Sequence, residues 1–277
     1  MTTFSHLKGI VLYRKKGNNG MQIDLNGMKI LITGASSGFG FEMSRALMGC
    51  GANVAMAARP GEKLANAVRK LEGEGFSPLG LPMDVRDEES IEKAKERIEE
   101  QWGGLDMLVN NAGIGMSGTD PDFRVQEGRF YEIKPSAFRD IVETNFVGYF
   151  LVSRAFTPIM LRQGRGRIVN VSTSISTMTA KRQIPYGPAR AGAEAMTMIL
   201  AAEMEELGIT VNVLLPGGAS DTGMVLPSRR EAYLARGGIL PPTILNEAVI
   251  YLASPVAEGV TGQRFIGKEF KWEPAGD

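Results

Sequence analysis

Short apolar runs alternate with amphipathic stretches from Lys29 almost to the end of the chain. KILIT (29–33) is apolar throughout and runs into a glycine turn, as a strand buried on both faces requires. GFEMSRALMGCG (40–51) then reads as a helix and NVAMAA (53–58) as a second strand. GEKLANAVRKLEGEG (61–75) places Leu64, Val68 and Leu71 on one helical face, and PLGLPMDV (78–85) is the third strand. DEESIEKAKERIEEQWG (87–103) is a helix with Ile91, Ile98 and Trp102 turned inward, and its acidic start suits the helix dipole. LDMLVN (105–110) is the fourth strand, followed by a stretch over 113–129 too rich in Gly, Asp and Pro to be regular.

The second half continues the rhythm. A long helix over 136–161 leads to RIVNVST (167–173), and a helix over 186–207 leads to ITVNVLLPG (209–217). A short helix near 246–253 and a strand near 263–266 close the pattern. Strict β/α alternation predicts a parallel sheet covered by helices on both faces, with no linker, repeat or low-complexity segment to divide it. One domain is expected over 21–277, and residues 1–20 read as a disordered N-terminal extension.

Composition narrows the chemistry. The 277 residues include 31 basic and 31 acidic side chains, so no basic excess points to nucleic acid. Cys50 and His6 are the only cysteine and histidine, which excludes an internal disulfide, Ser-His-Asp catalysis and most metal sites; no metal is expected. No stretch approaches the ~20 apolar residues that cross a bilayer, and the N-terminal run GIVLY precedes its basic cluster, the reverse of a secretory signal. The expectation is a cytoplasmic protein with no membrane partner.

TGASSGFG (33–40) stands at the first strand-to-helix turn, with Gly34, Gly38 and Gly40 spaced as GxxxGxG. Such a turn lets backbone approach a pyrophosphate and aims a helix N-terminus at it, so the loop, with Ser36, Ser37 and Phe39, predicts dinucleotide binding. The fold class is therefore α/β, a single doubly wound Rossmann-type domain with a parallel seven-stranded sheet. The second strand ends MAARPGEK, with Ala58 where an NAD site wants a carboxylate and Arg59 beside it. A 2′-phosphate prefers an arginine, so NADP(H) is expected to be preferred, with NAD(H) possible.

YGPAR (186–190) raises a chemical question, because a phenol titrating near ~10 is a poor acid or base at neutral pH without a fixed cation beside it. The ordered set TGASSGFG, MDV (83–85), NNAG (110–113), Asn145, the hydroxyl-rich STSIS run, Tyr186 and PG (216–217) resembles the short-chain dehydrogenase/reductase family. The resemblance covers about 25–266. It implies that Asp84 and Val85 hold the adenine and that Asn111, Ala112 and Gly113 line the cofactor cleft. Pro216, Gly217 and Thr222 join that cleft. Tyr186 would be the general acid/base, Thr173, thirteen residues earlier, would hold the substrate oxygen with Ser174 in reserve, and Asn145 would hold a relay water.

Arg190 stands where the family has a lysine that binds the nicotinamide ribose and stabilises tyrosinate. An arginine keeps the charge but is a planar fork that releases no proton. The implied function is an NADP(H)-dependent carbonyl reductase or secondary alcohol dehydrogenase acting on a small-molecule carbonyl or alcohol. The alternative is a catalytically weak NADP(H)-binding sensor. A homodimer or homotetramer is expected, built on the two long helices. Lys181, Arg182, Arg229 and Arg230 lie on the expected substrate loops, as do Met178, Met224 and Leu226.

Overall fold

In the computed structural model, which describes residues 6–7, 10–13, 22–116, 129–225, 227–235 and 238–272, the chain opens with short antiparallel pairing. His6–Leu7 (β1) pairs with Ile10–Tyr13 (β2), which pairs with Gln22–Ile23 (β3). Two of these strands fall within the segment expected to be disordered. The IVLY run is rich in β-branched and aromatic residues, which favour an extended ladder.

Seven strands form the central sheet: Lys29–Thr33 (β4), Asn53–Ala58 (β5), Leu79–Pro82 (β6), Met107–Asn110 (β7), Gly166–Val171 (β8), Ile209–Leu215 (β9) and Arg264–Ile266 (β10). Their order is β10-β9-β8-β7-β4-β5-β6, and every pairing is parallel. Side chains alternate between two cores, as period-two geometry demands. Ile30, Ile32, Val54 and Met56 face one core, while Leu31, Ala55 and Ala57 face the other. Leu31 is fully buried, and each such side chain contributes about 1.5–3 kcal/mol.

Gly38–Gly49 (α1), Glu62–Gly73 (α2) and, later, Asn246–Ala253 cover the first core through Met43, Leu47, Leu64, Leu71 and Val249. Glu88–Trp102 (α3) covers the second with Ile91 and Ile98; Asp87 caps it by accepting from the Glu89 N–H at 3.1 Å. The long helix expected over 136–161 is interrupted. Pro135–Val142 (α4) passes through a π-turn at Glu143–Val147 into Gly148–Gln163 (α5). Two further helices occur where the sequence suggests loops, Ile175–Met178 (α6) and, after Tyr186–Met204 (α7), Pro227–Ala235 (α8). Asn246–Ala253 is then α9.

The described residues after β10, up to Trp272, pack on this body. Phe265, Phe270 and Tyr251 make a ring cluster, Trp272 packs on the first core, and its N–H donates to Glu247 at 3.0 Å.

Candidate active site

Strand order reverses between β4 and β7, because the chain runs from β4 outward to β6 and then returns to β7. A crevice opens at the carboxyl ends of the strands at such a point. Two loops meet there and are laced together by Thr33. Its hydroxyl accepts from the Asn111 N–H at 2.9 Å and the Ala112 N–H at 3.0 Å. The Asn111 amide donates back to Thr33 O at 2.9 Å.

The glycines of the first loop are required by space as well as by φ. Gly34 has φ +65, and a β-carbon there would stand 2.7 Å from Ala112 Cα. A β-carbon at Gly40 would stand 2.6 Å from the Asn111 amide nitrogen. Ser37 caps α1 without a side-chain hydrogen bond, and the helix's first turn holds no acidic residue, so an approaching anion meets no carboxylate there. Ser36 is half-buried, Ser37 exposed, and Phe39 packs on the first core behind them. The glycine turn and the N-terminus of α1 behind it, with no carboxylate in its first turn, fit a dinucleotide pyrophosphate.

Arg59 lies exposed just beyond the end of β5. Asp84, past β6, is half-buried and accepts from the Arg86 backbone N–H at 3.0 Å and from its guanidinium at 3.3 Å. Burial pushes the Asp84 carboxyl up, but those hydrogen bonds and the charges of Arg86 and Arg59 outweigh it and leave it lowered. Val85 is buried against Gly148, which admits it by lacking a side chain.

Of the sequence-assigned catalytic residues, Arg190 lies beside Tyr186 and shares the space around Gly113 with Asn145, while Thr173 and Ser174 follow β8. Asn145 sits inside the π-turn, a feature frequent at functional sites, and is fully buried. Its amide clamps Ile114 at both backbone groups, accepting from N at 2.8 Å and donating to O at 2.9 Å. Tyr186 begins α7, where Gly187 lets the helix press on the Met178 carbonyl of α6. Thr173 follows β8, and its carbonyl accepts from Arg264 at 2.9 Å; Arg264 is itself paired with Glu194 at 3.0 Å. Ser174 caps α6, with its hydroxyl engaged by Thr177 N at 3.2 Å, Thr177 Oγ1 at 2.8 Å and Ser176 Oγ at 3.0 Å.

Arg190 is buried at the centre of this group, only 3% exposed. Its Nη1 donates to Tyr149 Oη at 2.6 Å and to Val171 O at 2.8 Å. Its Cζ stands 5.4 Å from the Tyr149 ring centroid and 5.5 Å from that of Tyr186, within cation–π range of both. Nη2 lies against Gly113, where a β-carbon would collide with it, and Nε finds no acceptor among the described residues. Burial works to lower the guanidinium pKa, but interaction with Tyr149 and Tyr186 outweighs it, so the cation stays charged. Burial also pushes the Tyr149 phenol up against the opposing charge of Arg190.

Pro216 is buried at the end of β9, and Gly217, at φ +86, leaves the space that Ile266 and Lys268 occupy. Thr222 approaches Gly38 across the cleft. Of the loop cations, Arg230 is bonded through both terminal nitrogens to Asp221, tying α8 to the loop after β9, while Lys181 and Arg182 are exposed. Leu226 and the side chain of Arg229 lie outside the described residues.

Three contributors escape sequence reasoning. Thr33 heads the quoted glycine motif, so its place was visible though its lacing role was not. Tyr149 lies four residues after Asn145, a helical neighbour by spacing. Arg264 reaches Thr173 from 91 residues away, and no local signal marks it.

A family model described as short chain dehydrogenase matches residues 28–232. The chain is 33% identical over 246 residues to the 3-oxoacyl-[acyl-carrier-protein] reductase FabG of Vibrio cholerae, covering 87% of this chain and 96% of that protein. Among solved structures, an actinorhodin polyketide ketoreductase with NADPH matches with TM-score 0.76 and 32% identity, over 86% of this chain and 95% of the other. The 3-ketoacyl-(acyl-carrier-protein) reductase from Brucella melitensis complexed with NADH matches with TM-score 0.76 and 28% identity, over 88% and 97% of the two chains. Motif order, sheet topology and these likenesses agree that the chain belongs to the short-chain dehydrogenase/reductase family.

Proposed function

We propose that this oxidoreductase is an NADP(H)-dependent carbonyl reductase, or in reverse a secondary alcohol dehydrogenase, with Tyr186 as its general acid/base. The observation that carries the reading is the meeting of Tyr186, Arg190 and Asn145 around Gly113, with Arg190 5.5 Å from the Tyr186 ring and its Nη2 against Gly113 beside the Asn145 amide. Bound NADP(H) supplies the hydride. Thr173 offers its hydroxyl to the substrate oxygen, and Tyr186 passes its phenolic proton to that oxygen as the carbonyl is reduced. Thr173 is favoured over Ser174, whose hydroxyl already serves the cap of α6. Arg190 places a permanent positive charge near the phenolate that remains. Its anchoring by Tyr149 and Val171 favours an enzyme over a sensor.

The preference for the phosphorylated cofactor rests on Ala58 and Arg59. The names of the relatives make 3-oxoacyl thioesters the first substrates to test. The outer faces of α4, α5 and α7 expose Phe138, Phe150, Leu161, Met198 and Ile199, which supports a homo-oligomer measurable by light scattering. Among the described residues no helix is long and apolar enough to cross a membrane, and a cytoplasmic enzyme is the simplest reading.

The test is Tyr186→Phe, assayed by NADPH oxidation with a 3-oxoacyl thioester and by cofactor fluorescence. Turnover should vanish while NADPH binding persists, since the ring still packs. A variant that keeps most of its turnover places the acid elsewhere.

A further inference from the structure

We propose that Tyr149 is the positioning residue that makes an arginine workable at 190. It does so by pinning the guanidinium between two phenol rings at a fixed distance from Tyr186. The inference rests on the reading of Tyr186 as the proton donor and goes beyond it.

Nη1 of Arg190 donates to Tyr149 Oη at 2.6 Å and to Val171 O at 2.8 Å. Nε is unsatisfied among the described residues, and Nη2 meets Gly113. Tyr149 also donates to Val171 O at 3.1 Å, so phenol, carbonyl and Nη1 close a three-membered ring of contacts. Tyr149 itself is 1% exposed and rises from α5, whose first residue follows the π-turn that carries Asn145. The clamp on Ile114 and the anchor for the cation therefore stand on the π-turn and on the helix that follows it directly.

The need for such an anchor follows from covalent geometry. A lysine at 190 would end in a nitrogen at the bond position of arginine Cζ, one bond short of Nη1. From there it would not use Tyr149 Oη in the same way. The longer arginine overshoots that point, and its charge is spread over a fork that must be stopped in one plane. Two aromatic faces at 5.4 and 5.5 Å and one short hydrogen bond provide the stop. The groups facing the guanidinium are the phenols of Tyr149 and Tyr186, the carbonyl of Val171, and Gly113 beside the Asn145 amide.

The test is a double-mutant cycle of Tyr149→Phe and Arg190→Lys, read in kcat, cofactor Kd and the pH profile of kcat. In the Arg190 chain, Tyr149→Phe should lower kcat about tenfold, leave the NADPH Kd within about twofold and move the alkaline limb of the profile. In the Arg190→Lys chain, the same substitution should change kcat less than about twofold, because the ammonium does not depend on the phenol. Equal losses in both chains would reduce Tyr149 to packing and overturn the proposal; so would an unchanged Tyr149→Phe in the Arg190 chain. Tyr149→Met, which removes the ring along with the phenol oxygen, replaces the phenylalanine variant if that chain does not accumulate. Tyr186→Phe is run alongside. If it turns over, the underlying reading fails and takes this one with it. If it is inactive, the cycle judges Tyr149 alone.

Discussion

Arg190 and Gly113 touch across the active site: Nη2 of the guanidinium occupies the space that a β-carbon at 113 would need. The same added carbon would stand 3.2 Å from Asn145 Oδ1, on the clamp that holds Ile114. The glycine of the NNAG motif thus makes the room that Arg190 Nη2 occupies.

Gly113→Ala should therefore displace the cation rather than unfold the protein. Overpacking of this kind costs about 1–3 kcal/mol, which predicts a melting temperature lower by several degrees. The loss in kcat should exceed what that destabilisation explains at a temperature where the variant is fully folded. Combining it with Arg190→Lys, which withdraws Nη2, should restore part of the activity. Steady-state assays beside thermal melts decide it.

The cofactor end offers an independent measurement. Arg59 is exposed at the end of β5, and no carboxylate occupies the adjacent Ala58. Arg59→Ala should weaken NADPH binding by about 1.5–3 kcal/mol, the range for a hydrogen bond to a charged group, and NADH binding far less. Equal losses in fluorescence titrations with the two cofactors would remove Arg59 from the 2′-phosphate site.

The sequence made the sheet legible because each strand is a short apolar run bracketed by turn residues, and both faces are buried. Ile30 and Leu31 face opposite cores, and a continuous apolar run satisfies both. The π-turn at Glu143–Val147 was not legible, since its residues fit an uninterrupted helix and only the extra residue in the backbone ring distinguishes it. The α8 helix was missed because SRREAYLA carries few apolar positions on which periodicity can register. In the site, Tyr186 and Asn145 are assigned through the family resemblance, and Thr173 through its place thirteen residues before Tyr186. Tyr149 is not assigned, because its importance comes from Arg190, and that pairing spans 41 residues.

Acid should expose the Asp84–Arg86 pair. The folded Asp84 carboxyl lies below its ordinary 3.8, because hydrogen bonds from Arg86 and the charges of Arg86 and Arg59 overcome its burial. The stability this contributes is complete well above pH 3.8 and is lost as pH falls through the depressed folded value, where the folded chain also takes up the proton. Arg86→Ala should lower stability at pH 6 and narrow the difference between pH 6 and about pH 3, in urea titrations at the two pH values. Its second partner, Asp140, is 44% exposed and adds little.

The charge at 190 is the sharpest test of how this site works. Arg190 Cζ lies 5.5 Å from the Tyr186 ring, and a unit charge at that range with effective dielectric ~20 is worth about 3 kcal/mol. Removing it should slow the proton-transfer step about a hundredfold. Arg190→Met is the variant that does so; it also leaves Tyr149 Oη without its donor, while Val171 O keeps the Tyr149 hydroxyl. Arg190→Lys keeps the charge and loses the anchor, so its kcat should fall between the other two. Turnover should fall much further in the methionine chain than in the lysine chain, because only the former removes the positive charge beside Tyr186. If methionine matches arginine in kcat, the buried cation serves the fold alone and Tyr186 works without it.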